Sequence, residues 1–270
     1  LYYQEFGNKF GIEYFCCGYG PLKSMVRTVY FFKLDNLLID TGSLKTRWMI
    51  PEFTDKDIPS DILVTHFHED HTGNLAYFIH KYGAKAYGNE ETIKIMENGF
   101  SILPYEKVLF GHAEPAQINP LPKNLSFGKY TFDAYHTPGH SHDHMAYHVA
   151  NQGWLFSGDL YVADRIKVWR KTENLQEQIK SLEFLCTLDF DVLVCNHNPQ
   201  WTNGKIRLQT KLDYFKTFYG RVKDCYIKGY SVSETMKELN LKESYLLRIL
   251  TADDVAVRHI VQSVFDSESL

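Results

Sequence analysis

Thr65-His66-Phe67-His68-Glu69-Asp70-His71 puts four candidate metal ligands within six residues, directly after the apolar run Ile62-Leu63-Val64. A short continuous apolar run that stops at polar residues reads as a buried strand ending at the rim of a sheet. Alternate side chains of an extended chain share a face, so His66 and His68 project together like two prongs. The chain must then turn, which aims Asp70 and His71 in a second direction just before a helical pattern over about 73–81. With 12 histidines in the chain, a His-x-His-x-Asp-His pattern arises by chance in roughly one such chain in a thousand. A metal-binding turn therefore explains the stretch better than a solvated histidine cluster.

The rest of the chain offers matching ligands at other strand ends. Asp191-Val192-Leu193-Val194 runs into Cys195-Asn196-His197, and a helical pattern with Leu175, Ile179, Leu182 and Leu185 on one face precedes it. A hairpin over 29–39, turning at Asp35-Asn36, delivers Asp40-Thr41-Gly42, and a second over 145–156, turning at Asn151-Gln152-Gly153, delivers Ser157-Gly158-Asp159. In His136-Thr137-Pro138-Gly139-His140-Ser141 the Pro-Gly turn fixes where His140 points. Strands and helices alternate in both halves. This predicts an α+β, four-layer αββα sandwich: two mixed sheets packed face to face, helices on both outer sides, and strand ends gathered at one rim. Imidazole and carboxylate donors without thiolate suit zinc, with manganese or iron as further fits, and are too nitrogen-rich for calcium.

Composition sets the frame for this site. A chain of 270 residues with 44 % hydrophobic and 23 % charged residues is globular in balance. A boundary near Gly204 divides it into a catalytic-type domain over 1–204 and a helical C-terminal extension over 205–270. Pro104, Pro115, Pro120 and Pro122 make about 98–124 read as an irregular, lid-like insertion, and Ser231-Val232-Ser233-Glu234 has the spacing of a helix capping box. Twenty-nine Lys plus Arg against 33 Asp plus Glu give a net charge of −4, so no global basic field draws nucleic acid or anionic membrane. No apolar stretch reaches the roughly 20 residues of a membrane helix, and the first residues do not read as a signal peptide, so the expected location is the cytoplasm. Five cysteines without a C-x-x-C pair read as reduced, mostly buried thiols. Gly18-Tyr19-Gly20 is expected as a turn.

Taken in order over about residues 29–200, these motifs resemble the metallo-β-lactamase superfamily, with its αββα sandwich and binuclear metal site. The resemblance implies two zinc ions per chain, His66, His68 and His140 holding the first and Asp70, His71 and His197 the second, with Asp159 bridging them. It further implies hydrolysis, because metal binding lowers the pKa of water to about 7 and supplies a hydroxide nucleophile. The substrate class it implies is a small ester, thioester, lactone or amide. Where the family commonly has Gly-His-Gly, this chain has Asn196-His197-Asn198. The superfamily's iron-dependent reductases commonly carry Glu at the position of His68, which lowers a redox reading.

Around this core, Asp40 is the expected hydrogen-bond partner of a ligand histidine. His136, His142 and His144 are expected to support the same loop rather than to ligate. Asp70 is expected to serve the reaction as well as the metal, Tyr161 to bond a substrate oxygen or the leaving group, and Arg165, Lys167 and Arg170 to steer an anion inward. The stretch from His140 to Ala146 also looks like that of lactamase-beta-2-like proteins, some of which cleave single-stranded RNA. A nuclease is therefore the second reading, disfavoured because the segment after Gly204 holds 11 Lys plus Arg against 9 Asp plus Glu. A metal-stabilised, non-catalytic scaffold is the third. A small-molecule substrate, no membrane, and a homodimer through the C-terminal helices complete the expected partners.

Overall fold

The computed structural model describes residues 1–23, 26–50, 57–166 and 168–269. The first sheet holds β1 (Tyr2–Lys9), β2 (Ile12–Tyr19), β3 (Arg27–Leu34), β4 (Leu37–Ile39), β5 (Asp61–Leu63), β6 (Lys85–Gly88) and β7 (Asn119–Pro120), in that order. It is antiparallel from β1 to β4 and parallel from β4 to β7. After a small hairpin of β8 (Ser126–Phe127) and β9 (Tyr130–Thr131), the second sheet holds β10 (Asp133–His136), β11 (Met145–Val149), β12 (Trp154–Gly158) and β13 (Val192–Cys195), with only the last pair parallel. Both sheets are mixed, as expected.

Period-two alternation builds the layers. Phe32, Ile39 and Leu63 of the first sheet meet Tyr147, Phe156 and Val194 of the second in one buried core between the sheets. Their neighbours point the other way. Phe31, Leu38 and Ile62 pack outward with Leu75 and Phe78 of α2 (Leu75–Tyr82) and Met96 of α3 (Glu90–Asn98), while Leu155, Leu193 and Cys195 pack outward under α5 (Leu175–Cys186), α6 (Gly204–Ile227) and α9 (Val257–Glu268). Four layers follow from strands that are apolar on both faces.

Some expectations need correction. Gly18 and Tyr19 continue β2 instead of turning, and a Cβ on Gly18 would lie 2.6 Å from the Arg27 carbonyl oxygen of the neighbouring strand. The region expected as irregular contains α4 (Pro104–Leu109) and the edge strand β7. From Gly204 the chain is helical, through α6, α7 (Val232–Glu238), α8 (Tyr245–Leu250) and α9, and the Ser231/Glu234 capping box opens α7. All five cysteines are free. No helix among the described residues is long and apolar enough to cross a membrane.

Hydrogen bonds stitch the two sheets together at the rim. The Met145 amide donates to the Thr65 carbonyl at 2.8 Å, the Tyr147 hydroxyl donates to the Val64 carbonyl at 2.7 Å, and the Tyr30 amide donates to the Asn196 carbonyl at 2.6 Å. The segments that follow β5, β12 and β13 are thereby held at one place.

Candidate metal centre

Beyond Leu63 the chain leaves the strand, bends at Thr65, and after His68 enters α1 (Glu69–Thr72), which carries Asp70 and His71. The prong-and-turn reading of the sequence is what forms. His66 Nε2 and His140 Nε2 stand 2.9 and 3.1 Å from His68 Nδ1. On the other side His197 Nε2 lies 3.4 Å from Asp70 Oδ2, and His71 Nε2 lies 3.8 Å from Asp70 Oδ1. Asp159 sits between, its carboxylate 3.4 Å from His71, 3.7 Å from His140 and 3.1 Å from His197. Donor atoms of His66, His68 and His140 lie within 4.8 Å of one another, as do those of Asp70, His71 and His197, and those of His66, His71 and Asp159.

Each of four histidines is tethered through its outward nitrogen, which leaves the inward one for a ligand. His71 Nδ1 faces Asp40 Oδ2 at 2.9 Å, His66 Nδ1 faces the Thr65 hydroxyl at 3.0 Å, His197 Nδ1 faces the Thr28 carbonyl at 2.9 Å, and His140 Nδ1 lies 3.5 Å from Glu173 Oε2. Such outer partners orient a metal-binding imidazole and raise its basicity. Asp40 is completely buried, with φ of 60°, and also accepts from the Thr65 amide and hydroxyl at 2.8 and 2.7 Å and from Asn196 Nδ2 at 2.7 Å. One carboxylate thus braces three strand ends.

The charge preferences of these groups fit a cation. Burial holds the imidazoles of His66, His68 and His144 well below their ordinary pKa, which favours the neutral ring in all three. Burial acts the same way on His71 and His197, but the Asp159 and Asp70 carboxylates outweigh it and hold both well above the ordinary value. Asp159 itself, despite burial, is drawn well below the usual carboxylate range by His197 and His71. Among the described residues, His71 Nε2 and Asp159 Oδ1 face each other at 3.4 Å, both buried, and neither makes a hydrogen bond. Two orphaned donor atoms aimed at a shared space between imidazoles and carboxylates fit a divalent cation.

The other predicted residues divide. His144 is buried and supports the centre: its Nε2 accepts the Asp159 amide at 3.1 Å and its Nδ1 meets the Thr137 hydroxyl at 2.9 Å. His136 and His142 do not reach the centre. His136 is exposed and donates to the His142 carbonyl at 2.7 Å, and the exposed His142 pairs with Glu91 at 3.1 Å. Tyr161 also fails its expected role, because the chain turns at Asp159-Leu160 and sends the ring into the core, where its hydroxyl donates to Asp164 at 2.7 Å.

A cavity of about 430 Å³ opens beside the cluster, with His68, Asp70, His140, Asp159 and His197 in its wall. Leu109, Phe110, Val162, Ile166, Val168 and Phe215 make much of the remainder apolar. Arg165 reaches it from an exposed position. Arg170 also lines it, but its guanidinium is committed to Glu106 and to Asp254, the latter at 3.1 Å, and is not free to steer an anion. Lys167 lies outside the described residues.

Sequence reasoning missed several supports. Asp143 ties the two ligand loops together, its carboxylate accepting from the Phe67 amide at 2.9 Å, Thr92 at 2.8 Å and Ser141 at 2.6 Å. Glu173 braces His140 from beyond the second hairpin. Asn196 was visible as a departure from the family's glycine, and its amide, shared between Asp40 and the Tyr30 carbonyl, explains that departure. Glu69 faces the cavity, where burial and the nearby Asp70 push its carboxyl up to about 8.

Gly139 adopts φ of 126°, and a Cβ there would lie 2.4 Å from the Gln178 amide nitrogen of α5. Gly139→Ala is expected to cost about 2–5 kcal/mol and to shift His140. Denaturant unfolding together with metal analysis reads both effects, and wild-type values in both would contradict the assignment of this turn as the aiming device.

A face-to-face αββα sandwich with histidine and aspartate ligands at one rim defines a class of metal-site fold, and comparison agrees. Residues 28–197 match the profile of the metallo-beta-lactamase superfamily, and the chain belongs to that superfamily. Among curated relatives, a beta-lactamase-like protein 2 homolog of Drosophila melanogaster is 31% identical over 154 residues, a match covering 54% of this chain and 49%, about half, of that protein. A hydroxyacylglutathione hydrolase of Serratia proteamaculans is 26% identical over 236 residues, covering 83% of this chain and 84% of that one. Among solved structures, a beta-lactamase domain protein from Burkholderia ambifaria superposes with a TM-score of 0.73 at 16% identity, covering 98% of this chain and 88% of that chain.

Proposed function

We propose that the chain is a hydrolase that uses two divalent cations, zinc by donor type, to cleave a small ester or thioester whose acyl part enters the apolar cavity. The observation that carries this reading is the pair of orphaned buried atoms, His71 Nε2 and Asp159 Oδ1, inside a ring of tethered histidines. His66, His68 and His140 would hold one cation and Asp70, His71 and His197 the other, with Asp159 between them. Cations held there supply an acidified water and polarise a carbonyl oxygen. The relative from Serratia, named for hydrolysing hydroxyacylglutathione, supports an acyl substrate.

The chain's own residues do the rest. Asp40, Thr65, Thr28 and Glu173 keep the imidazole rings oriented, so little reorganisation accompanies the reaction. The Leu109, Phe110 and Ile166 side of the cavity excludes water from the acyl group.

The test is metal analysis of purified protein, then a screen of esters, thioesters, lactones, amides and phosphodiesters before and after chelation. About two equivalents of zinc, with acyl hydrolysis lost on chelation and regained on zinc addition, is the expected result. Protein that folds but holds no zinc, or that cleaves phosphodiesters alone, would overturn it.

A further inference from the structure

Lys211 lies in α6, beyond the last ligand, and belongs to no part of the site described so far. It is buried, with only 5 % of its surface exposed, yet it lines the same cavity as the cluster. Its Nζ donates to the Leu160 carbonyl at 2.6 Å, and Leu160 directly follows Asp159. The ammonium therefore stands next to the chain segment that carries Asp159, in the wall of the cavity the cluster opens onto. Its other near neighbours are the Phe215 ring at 4.9 Å and the Tyr161 ring at 6.0 Å.

The buried Lys33 and the half-buried Arg170 are treated differently. Lys33 pairs with Glu13 at 3.1 Å, and Arg170 pairs with Glu106 and Asp254. Among the described residues no carboxylate lies within 4 Å of Lys211 Nζ; Glu173, Asp159 and Asp164 act on it only from further away. A buried ammonium with one main-chain acceptor for three N–H groups is costly to keep, and burial accordingly pushes its pKa down to about 8. A strut for the Leu160 carbonyl does not need a charge; a ligand anion does.

We propose that Lys211 is the specificity-determining residue of this cavity: its ammonium takes a carboxylate on the acyl group of the substrate, a few bonds from the carbonyl that is cleaved. The preferred substrates are then acyl esters or thioesters with an apolar body and one acidic end. This rests on the hydrolase reading above, and the experiment separates the two.

Glutaryl and valeryl thioesters of N-acetylcysteamine differ only in a carboxylate against a methyl at the far end. Wild-type protein is expected to favour glutaryl in kcat/KM by roughly tenfold to a hundredfold, the range of a charge-assisted hydrogen bond. In Lys211→Gln, which keeps a donor for Leu160, and in Lys211→Met the ratio should fall to about one, with Lys211→Arg regaining part of it. Calorimetric titration of the zinc-loaded protein with glutarate and with valerate gives a readout without turnover, and glutarate should bind the tighter only when residue 211 is basic. Lys211-dependent glutarate binding without thioester turnover would uphold the anchor and sink the hydrolase reading. Turnover whose ratio ignores Lys211→Gln and Lys211→Met, a wild-type preference for valeryl, or glutarate binding that ignores residue 211, would overturn the anchor.

Discussion

Asp159→Ala is expected to abolish paired metal binding and to lower turnover by about 10³-fold or more, the scale of losing a principal electrostatic group at a reacting centre. The carboxylate approaches members of both groups, His140 on one side and His71 and His197 on the other. Two divalent cations held as proposed would bring four positive charges, and Asp70 with Asp159 are the acidic groups that would face them. Without Asp159 the mutual repulsion of two such cations would be opposed by Asp70 alone of these two carboxylates. Elemental analysis should show metal falling to about one equivalent or less. A folded variant that keeps two equivalents and full turnover would overturn the bridging role proposed for Asp159.

Asp40→Ala should have the largest effect on stability. Asp40 touches no predicted metal position, yet four donors converge on it: the Thr65 amide, the Thr65 hydroxyl, His71 Nδ1 and Asn196 Nδ2. All are buried, so removing the acceptor leaves them unsatisfied where water does not reach. Orphaned buried donors cost about 1–3 kcal/mol each, with partial relaxation, and the loss of a fully buried polar hub is of order 3–5 kcal/mol. The untethered His71 ring should also weaken metal affinity by roughly 10–100-fold. Chemical denaturation of metal-free protein isolates the first effect, and zinc titration reads the second. A stability loss below about 1 kcal/mol would show that the hub is replaceable.

The site was legible wherever a ligand followed a strand in sequence. His66, Asp159 and His197 each come at or just after the end of an apolar run, and Asp40 does too, so alternation and turn residues were enough to place them. The αββα layers were legible for the same reason, since Phe31 and Phe32, or Leu193 and Val194, must point opposite ways and both are apolar. The N-terminal hairpin was not, because β1 is exposed along nearly its whole length and its aromatic-rich sequence carries no alternation to read. Tyr161 misled because two residues beyond a ligand share its face only while the chain stays extended, and here it turns. Glu173 and the Thr28 carbonyl were invisible for another reason: one comes from a distant segment, the other from the main chain, which has no sequence signature.

The candidate ligand atoms come from four segments, at 66–71, 140, 159 and 197, that lie far apart in the chain and follow strands of both sheets. Cations held there as proposed would tie these separate loops together and stabilise the folded state by binding it in preference to the unfolded chain. Chelation is then expected to loosen the sandwich itself, with heat tolerance and resistance to proteolysis falling as the ion is removed.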